Sequence, residues 1–370
     1  MREGWEYKKL GDVCDIYQPN TISTEMLVNN GKYYVYGANG IIGKYNEFNH
    51  ENSEILLTCR GATCGTINIS EPYSWINGNA MVIHRKSDSL NFDFLKYLMS
   101  SLDYSLIITG AAQPQITRAK LTPVKICIPQ LSTQLSIVSE LDKITEMISK
   151  YDEQLKELDK LSQSIFYEMF GDPVENEKGW EVKKLEEICD VRDGTHDSPK
   201  YVLQSEYVLI TSKNIINGSI DFNNVNYISE EDYISINKRS KVDDGDIIMP
   251  MIGTIGNPVI VHTDNVYKFC IKNVALIKFI KGTRILNSYL LSLLKTTSFS
   301  DYIISLNKGG TQKFVALGTI RNLPIILPSL PLQQSFARKI ESIEAMKSKV
   351  KEAKKEAETL LAARMQYWFE

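Results

Sequence analysis

Two long stretches of the chain carry apolar residues at spacings of mainly three and four. In the first, Leu135, Val138, Leu141, Ile144, Ile148, Tyr151, Leu155, Leu158, Ile165 and Met169 recur in this way. The second has Leu332, Phe336, Ile340, Ile343, Met346, Val350, Ala353, Leu360 and Met365. This is the period of a helix with one apolar face, and neither stretch contains Pro or Gly. At 1.5 Å per residue such a helix extends roughly 55 Å, longer than a small domain is wide, so each needs a partner along its length. The remaining sequence shows short apolar runs that predict strands at 54–58, 80–84, 124–128, 246–249 and 274–279, separated by Gly, Asn and Pro turns. Helices are expected at 92–102 and 287–297.

The pattern is written twice. GWEYKKLGDVCD at 4–15 returns as GWEVKKLEEICD at 179–190, a shift of 175. SEILLTCRGATCG from Ser53 resembles GDIIMPMIGTIG from Gly245, and NAMVI at 79–83 matches NVALI at 273–277. Further on, Pro129, Leu131 and Gln134 fall on Pro328, Leu330 and Gln333 at a shift of 199. The second unit is therefore the longer by about 24 residues. Each unit ends in one of the long helices, which predicts an α+β architecture: two similar globular domains separated by an antiparallel pair of long α-helices, a dumbbell with approximate two-fold symmetry. The expected boundaries are 1–130 and 173–330 for the domains, 131–172 and 331–370 for the helices.

With 370 residues, 43% apolar and 24% charged, the chain has the length and balance of about two ordinary globular domains. No apolar run approaches a membrane span, and the opening MREGWEYKK lacks the apolar stretch of a signal peptide, so a cytoplasmic location is the expectation. Six cysteines without a CxxC pair suggest reduced thiols, neither a disulfide framework nor a zinc site. The net charge of −3 is a poor footprint for a nucleic-acid partner. Its distribution changes that picture. Residues 131–172 carry four basic and nine acidic side chains, 331–370 carry eight and six, and both domain segments are balanced. The helices therefore complement each other in charge, and a local basic face on either domain remains open. Two similar but non-identical domains on a rigid spacer suit the reading of an extended polymer at two places, duplex DNA above all.

Particular strings sharpen this. The second unit reads CDVRDGTHDSPKY from Cys189, LITSKNIINGSIDFNNVNYIS from Leu209, DDGDIIMPMIGTIG from Asp243 and GGTQKF from Gly309. The first reads YGANGIIGKYN from Tyr36, then LLTCRGATCG and GAAQPQI. In this order, with the W-x-x-KKL opening of each unit and the long helices, they closely resemble the specificity (S, HsdS) subunits of type I restriction-modification systems over essentially the whole chain. The resemblance implies two target-recognition domains that each read half of a split double-stranded DNA target. It implies helices that set the spacer and dock two methyltransferase (M) subunits, with restriction/translocase (R) subunits completing the system. S-adenosylmethionine is expected on the methyltransferase subunits and no cofactor on this chain.

Gly-rich turns followed by amide and hydroxyl side chains allow close approach to phosphates, while Asn, Gln, Arg and Lys pair with base edges. The DNA-binding candidates in the first unit are Lys32, Asn39, Lys44, Arg60, Thr63, Gln113, Gln115 and Arg118. In the second they are Thr195, His196, Lys200, Lys213, Asn214, Thr254, Lys308, Thr311, Gln312 and Lys313. Three bland readings stand beside these: Gly61, Gly65, Gly253 and Gly256 as hairpin shapers, Lys308 and Lys313 as solvated side chains, and His196 as a turn cap through Asp193 or Asp197. Catalysis finds little support. Asn257-Pro258 is followed by Val259 and Ile260 where an amino-methyltransferase tetrad would continue with proline and an aromatic residue, no phosphate-binding loop is present, and the four histidines are isolated in sequence. No catalytic residue and no metal ligand is expected. The competing readings are a specificity subunit of a fused methyltransferase-nuclease system and a duplicated module that binds something other than DNA.

Overall fold

The structure is a computed structural model that describes residues 4–110, 113–216, 218–253, 255–262, 268–280, 282–307 and 314–370. The chain divides into two compact units, Met1–Asp152 with Glu352–Glu370, and Glu153–Lys351. No described helix is long and apolar enough to cross a membrane.

Unit 1 contains, in chain order, β1 (Trp5–Lys9), α1 (Leu10–Val13), β2 (Cys14–Tyr17), β3 (Tyr33–Gly37), β4 (Gly40–Tyr45), β5 (Ile55–Thr58), β6 (Ile67–Ile69), β7 (Trp75–Ile76) and β8 (Ala80–Arg85). α2 (Phe92–Ser101), α3 (Arg118–Leu121) and β9 (Lys125–Pro129) follow, then α4 (Leu131–Phe170). The central sheet has the order β2-β8-β5-β6, a second sheet has β4-β3-β7, and β1 pairs with β9. Ile55 and Leu57 of β5 pack with Ile16, Met81 and Ile83 toward α2, whereas Leu56 packs with Val82 toward Tyr36 and Ile76 of the second sheet. Both faces are covered, so β5 is an uninterrupted apolar run instead of an alternating one. Ile137, Val138 and Leu141 of α4 close this core.

Unit 2 repeats the plan with β10 (Glu181–Lys184), α5 (Leu185–Ile188), β11 (Cys189–Asp193), β12 (Tyr201–Val202), β13 (Tyr207–Ile210), β14 (Ile215–Ile216), β15 (Ser219–Ile220) and β16 (Asn226–Ile228). α6 (Glu230–Ser240), β17 (Ile247–Pro250), β18 (Val259–Ile260), β19 (Lys268–Ile271) and β20 (Val274–Phe279) come next. The unit continues with α7 (Asn287–Lys295), α8 (Thr297–Ser305), α9 (Leu317–Arg321), β21 (Pro324–Leu327) and α10 (Leu330–Phe369). Its central sheet runs β11-β20-β17-β18, matching β2-β8-β5-β6, and β10 pairs with β21 as β1 does with β9.

Each long helix contributes to both units, and within each the two lie antiparallel. In unit 1 Glu140 meets Arg364 and Trp368, while Asp152 meets Lys354 at 2.6 Å. In unit 2 Asp159 meets Lys347 at 2.7 Å and the Phe166 ring lies 5.7 Å from that of Phe336. As the residue number rises on α4 it falls on α10. The acidic partner is on α4 in all three ion pairs, as the charge difference between the two helices required.

Three members of the expected apolar stripes lie outside the packed face: Leu135 is 49% exposed, Met346 52% and Leu360 47%. The buried face of α4 runs instead through Gln134, Ile137, Val138, Leu141 and Ile144. Leu135 sits about 100° around the helix from Gln134 and so points away. Gln134 and Gln333 occupy the inward positions because each bridges strand end and preceding turn. Gln134 accepts from Asn91 N and donates to Ser89 O and Pro129 O, at 2.8, 3.0 and 2.9 Å. Gln333 accepts from Leu286 N and donates to Arg284 O and Pro328 O, each at 2.9 Å. This duplicated strut is where α4 and α10 are clamped to their domains.

Candidate nucleic-acid interface

In unit 1 the chain leaves β5 at Thr58 and turns sharply before returning as β6. Gly65 N bonds Thr58 O at 2.9 Å, and Gly61 and Gly65 sit at φ +85° and +99°, where a side chain would be strained. A second segment is stitched to this turn: Ile116 N donates to Cys59 O and Gly61 N to Pro114 O, both at 3.0 Å, and Arg60 pairs with Gln115 in an antiparallel bridge. Exposed Arg60, Thr63 and Gln113 and half-buried Gln115 are thereby brought together. Thr58 Oγ1 donates to Ala38 O, which draws the β3–β4 turn with Asn39 alongside. The exit of β2 completes the corner, with Gln18 Nε2 donating to Gly78 O at 2.7 Å. Cys59 is buried there, burial pushes its thiol pKa up, and its Sγ donates to Asn79 O at 3.3 Å.

Three candidates of this unit lie elsewhere. Lys32 and Lys44 flank the open end of the β3–β4 hairpin, each 5.0 Å from a tyrosine ring centroid, Tyr33 and Tyr34 respectively. That end is roughly 15 Å from the Asn39 turn at about 3.3 Å per strand residue. Arg118 is exposed at the start of α3, two residues beyond Ile116.

Unit 2 builds the same corner from different side chains. β11 ends at Asp193, Thr195 N bonds Ile271 O at 3.0 Å, and Thr195 pairs with Lys272. Gly194 approaches so closely that a Cβ would lie 2.2 Å from Ile271 O. Val315 N donates to Met251 O at 2.9 Å and Ile252 pairs with Phe314, the counterpart of the Cys59–Ile116 and Arg60–Gln115 stitches. Gly253 and Gly256, at φ +79° and +77°, shape the turn as Gly61 and Gly65 do. Buried Asp193 holds two cation-forming groups: His196 Nε2 lies 2.7 Å from one carboxylate oxygen and Arg239 meets the other. His196 Nδ1 lies 2.9 Å from Asn273 Oδ1. The imidazole thus pairs with Asp193 and not Asp197, yet remains 60% exposed and able to meet a ligand. Arg192 is bound by Asp190 at 2.6 Å, which raises its pKa further.

Lys213 is exposed in the turn after β13, three residues beyond Ile210, whose carbonyl accepts from Lys272 N at 2.9 Å. Lys200 is exposed just before β12. Asn214, expected among the DNA contacts, is turned into the fold. It is buried, its Oδ1 accepts from Thr211 N and Thr211 Oγ1 at 3.0 and 2.9 Å, and its Nδ2 donates to Asn224 O at 2.9 Å. Its amide braces a loop and is not presented to a base. Thr254, Lys308, Thr311, Gln312 and Lys313 lie outside the described residues.

Polar residues that the fold brings to these corners and that sequence reasoning did not single out are Gln18, Asn79, Arg239, Lys272 and Asn273. A signal for some was present: Gln18 falls on Asp193 at the 175 shift, and Asn79 and Asn273 head the matching NAMVI and NVALI strings. Arg239 and Lys272 carry none, since α6 and β19 reach the corner only through the fold.

A family model described as type I restriction modification DNA specificity domain matches residues 2–160 and again 177–359. The chain belongs to this family. Its two specificity domains are the two repeat units seen in the sequence. The type I restriction enzyme MjaVIII specificity subunit of Methanocaldococcus jannaschii is 23% identical over 399 aligned residues, which cover 97% of this chain and 92% of that protein. A Haemophilus influenzae protein provisionally named as a type I restriction enzyme specificity subunit is 26% identical over 365, covering 94% and 89%. Among solved structures, the S subunit of a type I restriction-modification system from M. genitalium superposes with a TM-score of 0.56 at 13% identity, covering 99% of this chain and 96% of that one. A chain from a study of type I system assembly and conformational transition gives 0.56 at 17%. At those identities the structural likeness speaks for the fold of the specificity family alone.

Proposed function

We propose that this chain is the sequence-reading, non-catalytic subunit of a type I restriction-modification complex, each specificity domain docking its polar corner on one half of a split DNA target. The observation that carries this reading is the corner itself, built twice by the same strand exits and the same stitched segment but furnished with different side chains. Unit 1 offers amides with one arginine, a set matched to base edges: Gln or Asn pairs with adenine, and Arg with guanine. Unit 2 offers His196 and Arg239 on a buried carboxylate, with Lys272 and Lys213 on adjoining segments, a set matched to phosphates as well as bases. Different furniture on equal frames means unequal half-sites. Each well-made pair supplies discrimination of about 1–3 kcal/mol.

The chemistry of methylation belongs to two methyltransferase subunits, which carry S-adenosylmethionine and close around the duplex. They dock on the long helices, and R subunits add restriction. Their charge offsets the near-neutral balance of this chain. The helix pair acts as the ruler between half-sites. The test is methylated-adenine mapping in cells carrying and lacking the gene: a two-part motif with a fixed gap should vanish with it. Inserting a heptad into 141–158, with the matching heptad in α10, should change the gap and leave both half-site sequences intact. A gap that stays fixed removes the ruler, and methylation that survives deletion removes the function.

A further inference from the structure

In unit 1 the pairing of β1 with β9 sets Lys9 directly opposite Lys125. Like charges facing each other across a ladder destabilise it. Neither ammonium has an ion pair among the described residues. Of the carboxylates nearby, Glu6 is paired with Lys8 at 2.9 Å, and Asp12, which keeps its charge, accepts from the backbone N–H of Lys9 at 3.2 Å. Both lysines open onto a surface cleft of about 480 Å³ lined also by Tyr7, Lys8 and Asp12. In unit 2 the equivalent pair is Lys184 opposite Pro324, so the opposed charges belong to the first unit alone.

The cleft continues the polar corner along the chain. Ile116, stitched to Cys59 at the corner, is followed within ten residues by Arg118, Lys120 and Lys125, the first two exposed on α3. The turn after α3 is tied to the end of β1 through Gly11 N to Thr122 O at 3.0 Å and Leu10 N to Val124 O at 2.8 Å. Lys86 reaches the same place, its Nζ on Gly11 O at 2.7 Å. Cationic residues thus recur along the segment that joins the corner to the cleft.

We propose that this cleft binds the DNA phosphate backbone immediately outside the half-site read by unit 1. The proposal rests on the DNA-reading function above. An opposed pair of ammonium groups is stabilised by a ligand that brings negative charge between them, and a duplex strand leaving the corner along Arg118 and Lys120 supplies it. An acidic protein surface would satisfy the lysines but leaves their continuity with the corner without a role. Backbone contacts fix register and carry no sequence information. The cleft therefore contributes affinity and a footprint longer on the unit 1 side, without altering the bases chosen.

The test uses the chain in complex with its methyltransferase subunits, comparing wild type with K9Q/K125Q and K9R/K125R. Each phosphate neutralised contributes about 0.9 to the slope of log K against log salt, so loss of two contacts lowers the slope by about 1.8. Over a fourfold rise in salt, the wild type then loses about 12-fold more affinity than K9Q/K125Q. The arginine variant keeps the wild-type slope, and the methylated motif is the same in all three. Ethylation of phosphates flanking the unit 1 half-site interferes with wild-type binding and not with K9Q/K125Q. An unchanged slope and interference pattern in K9Q/K125Q overturns the proposal while leaving the DNA reading intact. Loss of methyltransferase subunits from K9Q/K125Q, with an unchanged slope in whatever complex remains, assigns the cleft to a protein partner and also overturns it. A wild-type complex with no sequence preference overturns the DNA reading itself and this proposal with it.

Discussion

Phe336 is the ring on which the docking of α10 into unit 2 depends. It is fully buried, with ring centroids 5.2 Å from Phe170, 5.7 Å from Phe166 and 6.5 Å from Tyr289. The first two rings come from the last turns of α4 and the third from α7. Phe336→Ala removes one of four mutually packed rings, and a buried Phe→Ala change costs about 3–5 kcal/mol. The edge-to-face contacts are worth about 0.5–1.5 kcal/mol each, but they are contained in that range and do not add to it, because neighbouring contributions couple. The loss should approach the upper end if the antiparallel helix cannot slide to fill the void. Phe336→Leu keeps most of the volume and should cost less than about 1.5 kcal/mol. Urea unfolding followed by Trp180 fluorescence, with Trp5, Trp75 and Trp368 replaced by Phe, is the assay, since the Trp180 indole packs on this cluster and donates to Phe170 O at 2.8 Å. With a slope of about 2–3 kcal/mol per molar for a unit of this size, the midpoint should fall by about 1–2 M. Hydrogen exchange should show the loss in unit 2 alone. A fall under about 0.4 M for Phe336→Ala, equivalent to roughly 1 kcal/mol, would mean that the four rings are not packed together.

Two further outcomes follow from the helices. Gln134→Leu and Gln333→Leu should each leave a buried N–H and carbonyl groups unpaired and cost about 2–4 kcal/mol, with matching losses by thermal unfolding because the two struts have the same partners. A neutral effect at either site would show that its bonds are not made. Glu140, bonded by Arg364 and Trp368, is held below the usual carboxylate range, chiefly by the Arg364 bond. A depressed carboxyl contributes stability that is present above its unfolded pKa of about 4.3 and lost as pH falls through the lower folded value. Glu140→Gln should therefore be less stable than wild type by a constant amount above about pH 5, under about 1 kcal/mol because the pair is partly exposed, and the gap should close in acid. A gap that widens in acid would contradict the bond.

The division between what was legible and what was not follows from the range of the interactions. The helices of 131–170 and 330–369 announce themselves through period and the lack of breakers, and the duplication announces itself through strings such as GWE-KKL. The strands at 55–58, 80–85 and 274–279 show as apolar runs because both faces of their sheets are covered. Leu135 looked like core because it is apolar, and Gln134 was passed over because it is polar, yet backbone groups at a strand end needed an amide and not a methyl group. Asn214 looked free because Asn favours turns, and it is the turn that consumes its side chain.

By itself, then, the sequence determined the plan: two copies of one unit, each closed by a long amphipathic helix, with unequal charge between the helices and unequal polar furniture in the copies. Those properties are local or repetitive, and local periodicity and repetition survive in one dimension. Only tertiary structure decided which polar groups meet. Asp193 collects Arg239 from 46 residues away, and Asn273 comes to His196 from 77 away. Lys9 faces Lys125 for the same reason. Such meetings are set by sheet register and by where a strand leaves its sheet, and a shift of one residue in the β1–β9 pairing would take Lys125 out of register with Lys9.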